Sequence, residues 1–203
     1  MHTHKHILQK GACMINTHNF PKIEGRYINL REAEVSDSAF ILSLRTDKKK
    51  AQYIHKTQNN LQNQIAYMNR YKSLENEWYF IVEDKQGKSL GTNSIYPTYN
   101  QFVLDSHLCF YEIGRWIMSD EASFLQVLES DLLTKQAFFE IYKLDDKNVF
   151  TTNPKNTRVL NYHLKFGALK AGFDEKEGLE ILLLTQQDYQ KHKPKMTLLL
   201  HKE

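Results

Sequence analysis

The first third of the chain carries one strand pattern followed by two helix patterns. Residues 26–31 alternate polar and apolar side chains, which is the period of a half-buried strand. Ser36 and Asp37 are favourable helix N-caps, and they precede an apolar stripe at residues 39–44. A second apolar stripe, at residues 61–68, lies among Gln and Asn and predicts a second short helix.

The middle of the chain is dominated by extended patterns. Apolar and aromatic runs at residues 78–83, 89–96 and 107–117 are typical of strands, and a charged turn containing Gly87 separates the first two. Residues 124–142 then place apolar side chains close to the 3.6-residue period, which predicts a long helix.

The last quarter of the chain predicts a strand, a helix, two more strands and a short helix. These elements fall at residues 148–152, 158–166, 169–173, 179–185 and 186–194. Gly167 follows the helix as a C-terminal glycine. The whole order, β-α-α-β-β-β-α-β-α-β-β, predicts an α/β (α+β) sheet with helices on its faces.

Bulk composition is that of one globular domain. The chain has 203 residues, of which 41% are hydrophobic and 25% charged, so it can bury a single core. We expect residues 20–203 to form that domain and residues 1–19 to form a flexible tail. The tail is rich in histidine, and a metal site there is disfavoured because no carboxylate or Cys lies at ligand spacing.

Charge and cysteine content exclude several classes of protein. The formal net charge of +3 is small, and Lys and Arg are dispersed among acids, which disfavours a nucleic-acid-binding surface. Cys13 and Cys109 form neither a disulfide framework nor a zinc ligand set, so a cytoplasmic location is expected. Apolar runs are much shorter than the ~20 residues of a membrane span, so no membrane association is expected.

Three segments resemble motifs of the GNAT N-acetyltransferases. Residues 153–168 resemble the pattern N-x-x-N-[ST]-x-x-x-x-x-Y-x-x-x-G-F, with Ala168 in place of the final Phe. Residues 112–117, Glu-Ile-Gly-Arg-Trp-Ile, resemble E-I-G-x-W-[IL], and residues 30–37 resemble the opening L-R-x-x-x-x-x-D. The spacing is similar to the branch that contains the ribosomal-protein alanine N-acetyltransferases. The resemblance covers about residues 25–189.

This resemblance implies both a fold and an activity. The implied GNAT fold has a central mixed, mostly antiparallel sheet of about seven strands flanked by about four helices. The implied activity is acyl-CoA-dependent N-acetyl transfer from acetyl-CoA to a primary amine by direct attack in a ternary complex, without a metal. The acceptor remains open between a small metabolite, an amino-sugar nucleotide and a protein N-terminus, and a homodimer also remains open.

Two residues are candidates for proton transfer, one from the resemblance and one from its place in an apolar strand. Tyr162 matches the family tyrosine near the coenzyme sulfur and is expected to protonate the leaving thiolate. Its structural alternative is packing beside Phe166. Glu112 is the expected base, acting through a water, because burial in a strand raises a carboxylate pKa. Its structural alternative is an ion pair with Arg115 or Arg31.

The donor-binding residues follow from the same motifs. Asn156 matches the residue that contacts the pantetheine arm, although it is also a favourable helix N-cap. Arg158 is expected to meet coenzyme phosphates, with a solvated helix face as the alternative. The backbone N–H groups of Ile117 and Met118 match the strand end that faces the thioester.

The loop expected to bind the pyrophosphate departs from the family. The family pattern [QR]-x-x-G-x-[GA] opens a helix whose N–H groups hold the pyrophosphate. The matching residues here are Ser123, Phe124, Leu125, Gln126 and Val127, which contain no glycine. The nearby Asp120 and Glu121 add negative charge. Three alternatives therefore stay open: coenzyme A binding through other amides, another thioester donor, or a non-catalytic GNAT-like binding module.

Other aromatic and histidine residues are assigned more general roles. Residues 96–100 are expected to line the acceptor pocket, since they combine aromatic and polar side chains. Trp78 and Trp116 are expected in the core rather than as substrate platforms. His107 is expected to be structural, because no motif supports it as a base.

Overall fold

The computed structural model describes residues 18–98 and 110–201. The strands in these ranges are β1 (Ile23–Glu24), β2 (Ile28–Glu32), β3 (Trp78–Asp84), β4 (Ser89–Thr98), β5 (Phe110–Met118), β6 (Lys147–Thr152), β7 (Leu169–Asp174) and β8 (Leu179–Thr185). The α-helices are α1 (Ser38–Thr46), α2 (Leu61–Tyr71), α3 (Phe124–Gln136), α4 (Thr157–Lys165) and α5 (Gln186–Leu200). Some predictions concern residues outside the described ranges, namely Cys13, His107, Cys109 and residues 99–100.

The strands form two antiparallel sheets, and this confirms the predicted α+β fold class. One sheet has the order β1-β2-β3-β4-β5 and the other has the order β6-β8-β7. The sequence predicted one sheet of about seven strands, whereas β5 and β6 belong to separate sheets. The Asn148 side-chain amide donates to the Tyr111 carbonyl oxygen at 2.9 Å, which ties these two strands together near their starts.

Strand β3 is the centre of the larger sheet and is buried on both faces. Trp78, Phe80 and Val82 pack in the main core with α3, whereas Tyr79 and Ile81 pack against the α1–α2 side. A strand covered on both faces is apolar throughout rather than alternating. This explains the continuous apolar run in its sequence and fixes the sheet between two helical layers.

Helix α3 is fixed to the start of the sheet through one buried carboxylate. Glu129 accepts hydrogen bonds from the backbone N–H groups of Arg26, Tyr27 and Ile28 at 2.7, 2.6 and 2.9 Å. A Cβ atom at Gly25 would lie 2.7 Å from the Glu129 carboxyl carbon, so a side chain here would displace this carboxylate from its hydrogen bonds. The contact sets the position of α3 across the sheet.

Two predicted helix ends differ from the structure. The helix predicted to reach residue 142 leaves the α-form after Gln136 and continues as a π-helical turn, Ala137–Ile141. Helix α5 continues through Pro194 to Leu200, because burial of Met196 and Leu200 in the core offsets the hydrogen bond that proline removes. None of the helices in the described ranges combines the length and apolar character of a membrane span.

His18 and Asn19 are bonded to the end of β2. The His18 ring hydrogen-bonds to Oε1 of Glu32 at 2.9 Å, and the backbone N–H of Asn19 donates to Oε2 of the same carboxylate at 2.6 Å. His18 and Asn19, which were expected to belong to the tail, therefore contact β2.

Candidate active site

A cleft of about 580 Å³ opens where β5 and β6 separate. One wall is β5, from Glu112 to Ile117, and the opposite wall comes from β6, the loop after it and α4. The α1–α2 side contributes Arg45 and residues 53–55. A concave, mostly preformed space of this size is typical of a small-molecule site.

Glu112 lies in this cleft without a cationic partner at salt-bridge distance among the described residues. The hydroxyl of Thr151 donates to its Oε1 at 3.4 Å, and Tyr96 also hydrogen-bonds to it. Burial raises the pKa of Glu112 to about 7, although the Tyr96 and Thr151 hydrogen bonds partly oppose the rise. A carboxylate with this pKa can take up and release a proton near neutral pH.

The alternative role of Glu112 as an arginine partner is not observed. Arg31 instead forms ion pairs with Asp37 at 2.8 Å and Glu83 at 2.9 Å. Arg115 pairs with Glu77. Both guanidinium groups therefore have other carboxylates, which leaves Glu112 facing the cleft.

A β-bulge interrupts the pairing of β5 with β4 at residues 115–116, shortly after Glu112. The pairing with β4 shifts between Ile117↔Thr92 and Gly114↔Ser94, so two residues of β5 face one residue of β4. One of the two, Arg115, has a φ of 52°, in the left-handed region that is costly for a residue with a Cβ.

The Arg115 side chain is held on the side of the sheet where several tyrosines lie. Its guanidinium carbon lies 4.3 Å from the Tyr96 ring centroid, which is a cation–π distance. The Tyr96 hydroxyl in turn lies over Gly114, where a Cβ atom would approach it to 2.5 Å. Glycine in the Glu-Ile-Gly motif thus provides the space for the tyrosine that hydrogen-bonds to Glu112.

Tyr162 does not have the position that the motif was expected to give it. Its hydroxyl donates to Oδ2 of Asp131 at 2.6 Å, and the same oxygen accepts from Nζ of Lys135 at 2.6 Å. Burial and the Asp131 charge raise the pKa of Tyr162 well above its ordinary value. Asp131 lines the cleft, whereas Tyr162 is not among the described residues that do so.

The next residue, His163, lines the cleft instead. Counted back from Gly167, the family pattern places its tyrosine four residues earlier, at position 163 rather than 162. The tyrosine of the family pattern therefore aligns with His163, one residue after Tyr162. The spacing to Gly167 is the signal in the sequence that gives this alignment.

His163 is a buried neutral imidazole. Its Nδ1 atom has no hydrogen-bond partner among the described residues. Burial, with the Lys135 charge adding to it, lowers the pKa of His163 to about 3. Near neutral pH the ring carries one N–H donor and one acceptor nitrogen.

Two of the predicted donor-binding residues also line the cleft. Asn156 and Ile117 both lie there, and Oδ1 of Asn156 accepts from the Val159 N–H at 3.4 Å, so Asn156 also caps α4. Because the Ser119 N–H bonds to the Leu90 carbonyl at 2.7 Å, strand alternation turns the Met118 N–H toward the opposite edge of β5. Arg158 is exposed at the start of α4.

The predicted pyrophosphate loop is closed by its own side chains. Ser123 Oγ accepts from the Gln126 N–H at 3.3 Å, and Gln126 Oε1 accepts from the Ser123 N–H at 2.9 Å. This capping box occupies two of the N–H groups that begin α3, and those of Phe124 and Leu125 remain. Val127 donates to the Ser123 carbonyl oxygen at 3.0 Å, and none of the five residues is among the described residues that line the cleft.

The two acids that precede α3 pair with lysines from other parts of the chain. Asp120 accepts from Nζ of Lys50 at 2.8 Å, and Glu121 pairs with Lys88. Phe124 occupies a position where the family pattern has a glycine, and it is 61% exposed.

The two tryptophans occupy different environments. Trp78 is in the core, as expected. Trp116 lines the cleft, and its Nε1–H donates to the Ser130 hydroxyl at 2.9 Å. Of residues 96–100, Tyr96 and Thr98 line the cleft. Within the described ranges, no group of three or more His, Cys, Asp or Glu residues could hold a metal ion.

No family model matches the sequence, and no curated protein matches it significantly. Solved structures do match. The apo structure of FdhC, described as a nucleotide-linked sugar GNAT, is 26% identical, with a TM-score of 0.72 over 88% of this chain and 98% of that one.

Two further structures have lower identity. A GCN5-related N-acetyltransferase from Brucella melitensis is 16% identical, with a TM-score of 0.69 over 89% of this chain and 85% of that one. Ribosomal-protein-S5-alanine acetyltransferase from Vibrio fischeri is 16% identical, with a TM-score of 0.64 over 84% of this chain and 99% of that one. The resemblance predicted from the three motifs is thus confirmed, and the chain has the fold of the GNAT acetyltransferases.

Proposed function

We propose that this chain is an N-acyltransferase that moves the acyl group of a coenzyme A thioester, acetyl-CoA in the simplest case, to a primary amine. The observation that carries the proposal is Glu112, which lies in a cleft of a GNAT fold with a pKa of about 7. Perturbed carboxylates that lack a structural ion pair are typical of catalytic sites.

Glu112 acts as the base. An alkyl ammonium with a pKa near ~10.4 must lose its proton before nitrogen can attack the thioester carbon. The Glu112 carboxylate accepts that proton, directly or through one water, and a pKa of about 7 leaves a large fraction ionised near neutral pH. Tyr96 and Thr151 hold the carboxylate in one orientation through their hydrogen bonds.

His163 assists the leaving group, the role first assigned to Tyr162. A neutral imidazole N–H donates a hydrogen bond to the sulfur as negative charge develops there, and the low pKa of His163 keeps the ring neutral at working pH. Tyr162 acts from outside the cleft. Its bond to Asp131 positions α4 against α3, and with them the imidazole.

The coenzyme A thioester lies along the edge of β5 that separates from β6. The Met118 N–H and the bulge beside it offer donors for the thioester carbonyl and pantetheine amides, and Asn156 faces the same space. The capped start of α3 leaves only the N–H groups of Phe124 and Leu125 for the pyrophosphate. We therefore expect a weaker diphosphate contact than a glycine loop provides, with Arg158 as a further cation.

The similar structures offer different acceptors. FdhC is described as a nucleotide-linked sugar GNAT, and the Vibrio fischeri protein as a ribosomal-protein-S5 alanine acetyltransferase. The first is more similar to this chain in both identity and TM-score. An amine on a nucleotide-linked sugar is therefore the first acceptor to test, before a protein N-terminus.

A non-catalytic binding module is the second candidate, and the capping box favours it. The side chains of Ser123 and Gln126 each accept a hydrogen bond from the backbone N–H of the other at the start of α3, so this helix end is stable without a ligand. The same closure is compatible with a thioester donor that lacks the nucleotide half of coenzyme A.

Calorimetry with acetyl-CoA tests the proposal directly, with desulfo-CoA and ADP as comparisons. We expect acetyl-CoA to bind and ADP alone to bind poorly, followed by amine-dependent release of free coenzyme A that Glu112→Gln reduces about 100-fold or more. Turnover unchanged in correctly folded Glu112→Gln would refute the catalytic assignment. No binding of acetyl-CoA at millimolar concentration would favour the binding module.

A further inference from the structure

A second cavity, of about 350 Å³, lies next to the cleft on the α1–α2 side. Arg45 and Arg115 line both spaces, so the two adjoin at these side chains. The other described residues of its lining are neutral or basic: Lys56, Thr57, Gln58, Asn63, Gln64, Tyr67 and Tyr79. No Asp or Glu is among the described residues that line it.

Arg45 carries an uncompensated charge into this cavity. Its guanidinium donates through Nε to the Thr57 hydroxyl at 2.9 Å, and among the described residues no carboxylate lies at salt-bridge distance. This bond orients the guanidinium, and its two terminal nitrogens have no hydrogen-bond partner among the described residues. A guanidinium presented in this way matches the paired oxygens of a phosphate or carboxylate.

The other two cations of the cavity differ in their pairing. Lys56 is exposed at the rim, and no ion pair involves it in the described part of the chain. Arg115 is neutralised by Glu77, with the Tyr96 ring also contacting its guanidinium. The cavity therefore carries an excess of positive charge from Arg45 and Lys56.

Gln64 supplies an independent indication of a ligand. Its side chain is 7% exposed, it lines the cavity, and its Nε2 has no hydrogen-bond partner among the described residues. Buried amide groups in folded proteins normally have a partner. Gln64 and Arg45 both line this cavity, so an anion bound there would lie near a buried amide that lacks a described partner and near the Arg45 guanidinium.

We propose that the second cavity binds an anionic group, a phosphate or carboxylate, of the acceptor molecule. Arg45 and Gln64 hold the anion, while the amine of the same molecule extends past Arg115 to Glu112 in the cleft. Only the placement of the amine at Glu112 rests on the proposed function. Binding of an anion in the cavity does not require acyl transfer.

Anion binding is measured first, on the whole chain without acyl donor. Inorganic pyrophosphate and malonate serve as the phosphate and carboxylate probes in calorimetric titrations at fixed ionic strength, each repeated with saturating coenzyme A to exclude binding at the α3 end. We expect saturable binding of at least one probe and a loss of affinity of about tenfold or more in Arg45→Gln. The probe that binds more tightly identifies the source of the anion.

Arg70→Gln is the matched control. Arg70 is an exposed arginine on α2 that contacts the Tyr67 ring at 5.4 Å, but it is not among the described residues that line the cavity. The same change of charge there should leave affinity nearly unchanged. Arg45→Lys and Gln64→Leu provide second variants if Arg45→Gln unfolds. Arg45→Lys should weaken binding because an ammonium group replaces the planar guanidinium. Gln64→Leu should weaken binding because it removes the amide donor.

Kinetics then connect the cavity with the acceptor. An amino sugar linked to a nucleoside diphosphate is compared with the methyl glycoside of the same sugar. We expect Arg45→Gln to raise KM for the linked sugar by a factor about tenfold or more larger than the factor by which it changes KM for the neutral glycoside.

The outcomes separate the two proposals. Absence of binding by both probes, or binding that Arg45→Gln does not weaken, overturns the inference even if acetyl-CoA binds and turns over. Arg45-dependent binding of a probe supports it, including in the case that no acyl transfer to any amine is found, which would count against the proposed function alone.

Discussion

The hydroxyl of Tyr162 donates to the Asp131 carboxylate at 2.6 Å and lies outside the cleft, whereas the adjacent residue, His163, lines it. Two neighbouring residues of α4 therefore differ in role, since Tyr162 joins α4 to α3 and His163 lines the cleft. Since Lys135 bonds to the same carboxylate oxygen, Tyr162 belongs to a buried network between α3 and α4. Substitutions of Tyr162 and of His163 should therefore have different consequences.

Tyr162→Phe should lower stability and leave most turnover, because it removes a hydrogen bond to a buried charge without changing the cleft. We expect a loss of about 1–3 kcal/mol in the free energy of unfolding. His163→Phe should keep the fold and reduce kcat by about tenfold to a hundredfold, because it removes a donor near the leaving sulfur. Chemical denaturation and steady-state release of coenzyme A measure the two effects. The reverse result, with a folded but inactive Tyr162→Phe, would restore the role to Tyr162.

The sequence predicted the element order and the fold because these depend on local periodicity and on motifs at fixed spacing. It assigned Glu112 to the site because a carboxylate in an apolar strand is unusual. It could not predict that Tyr96 and Thr151 hold this carboxylate, since those contacts join three separate strands. It also could not show that Arg45 and Gln64 share a cavity, because that depends on how α1 and α2 pack on the sheet.

The loop before α3 shows a different limit. The lack of glycine was evident from the sequence, but its consequence depends on Ser123 and Gln126 bonding to each other. Serine and glutamine at this spacing are a capping-box signature, so the closure had a local signal. The pairing of Asp120 with Lys50 had none, because 70 residues separate the two partners.

The pH dependence of turnover should follow Glu112. The base works only when ionised, so kcat should rise as the pH passes about 7 and level off above it. Glu112→Gln should abolish this rise along with most of the rate. Rates measured from pH 5.5 to 9 with a weakly basic amine, so that the amine itself does not titrate in the window, provide the test. A rise in the same window that Glu112→Gln retains would show that another group titrates and that Glu112 is not the base.

The same pKa predicts how Glu112 affects stability. Its ordinary pKa is 4.5, so between pH 4.5 and about 7 the folded chain keeps a proton that the unfolded chain has lost. This contribution to stability is complete below pH 4.5, falls as the pH rises through that window and is absent above it. Glu112→Gln, which cannot ionise, should therefore be more stable than the wild type at pH 8 by about 1–3 kcal/mol.

Thermal and urea unfolding of the two proteins at pH 4.5 and pH 8 measure that difference. The gain should be much smaller at pH 4.5, where Glu112 is protonated in the folded chain and still half protonated in the unfolded chain. Glu175→Gln, at an exposed acid in the turn between β7 and β8, controls for the change of net charge. An equal gain at both pH values would show that the amide packs better than the acid and that ionisation is not the cause.

Removing the two acids before α3 should strengthen the binding of coenzyme A. Asp120 and Glu121 pair with Lys50 and Lys88, so Asp120→Asn with Glu121→Gln removes two negative charges and frees both ammonium groups for phosphates. All four groups lie near the surface, so the gain should be modest, less than about tenfold in Kd, and should decrease as salt is added. Calorimetry with acetyl-CoA at two ionic strengths measures it, and desulfo-CoA should show the same gain because the sulfur is distant. An unchanged Kd for both ligands would mean that the diphosphate does not approach this end of α3, and it would favour a donor that lacks the nucleotide half.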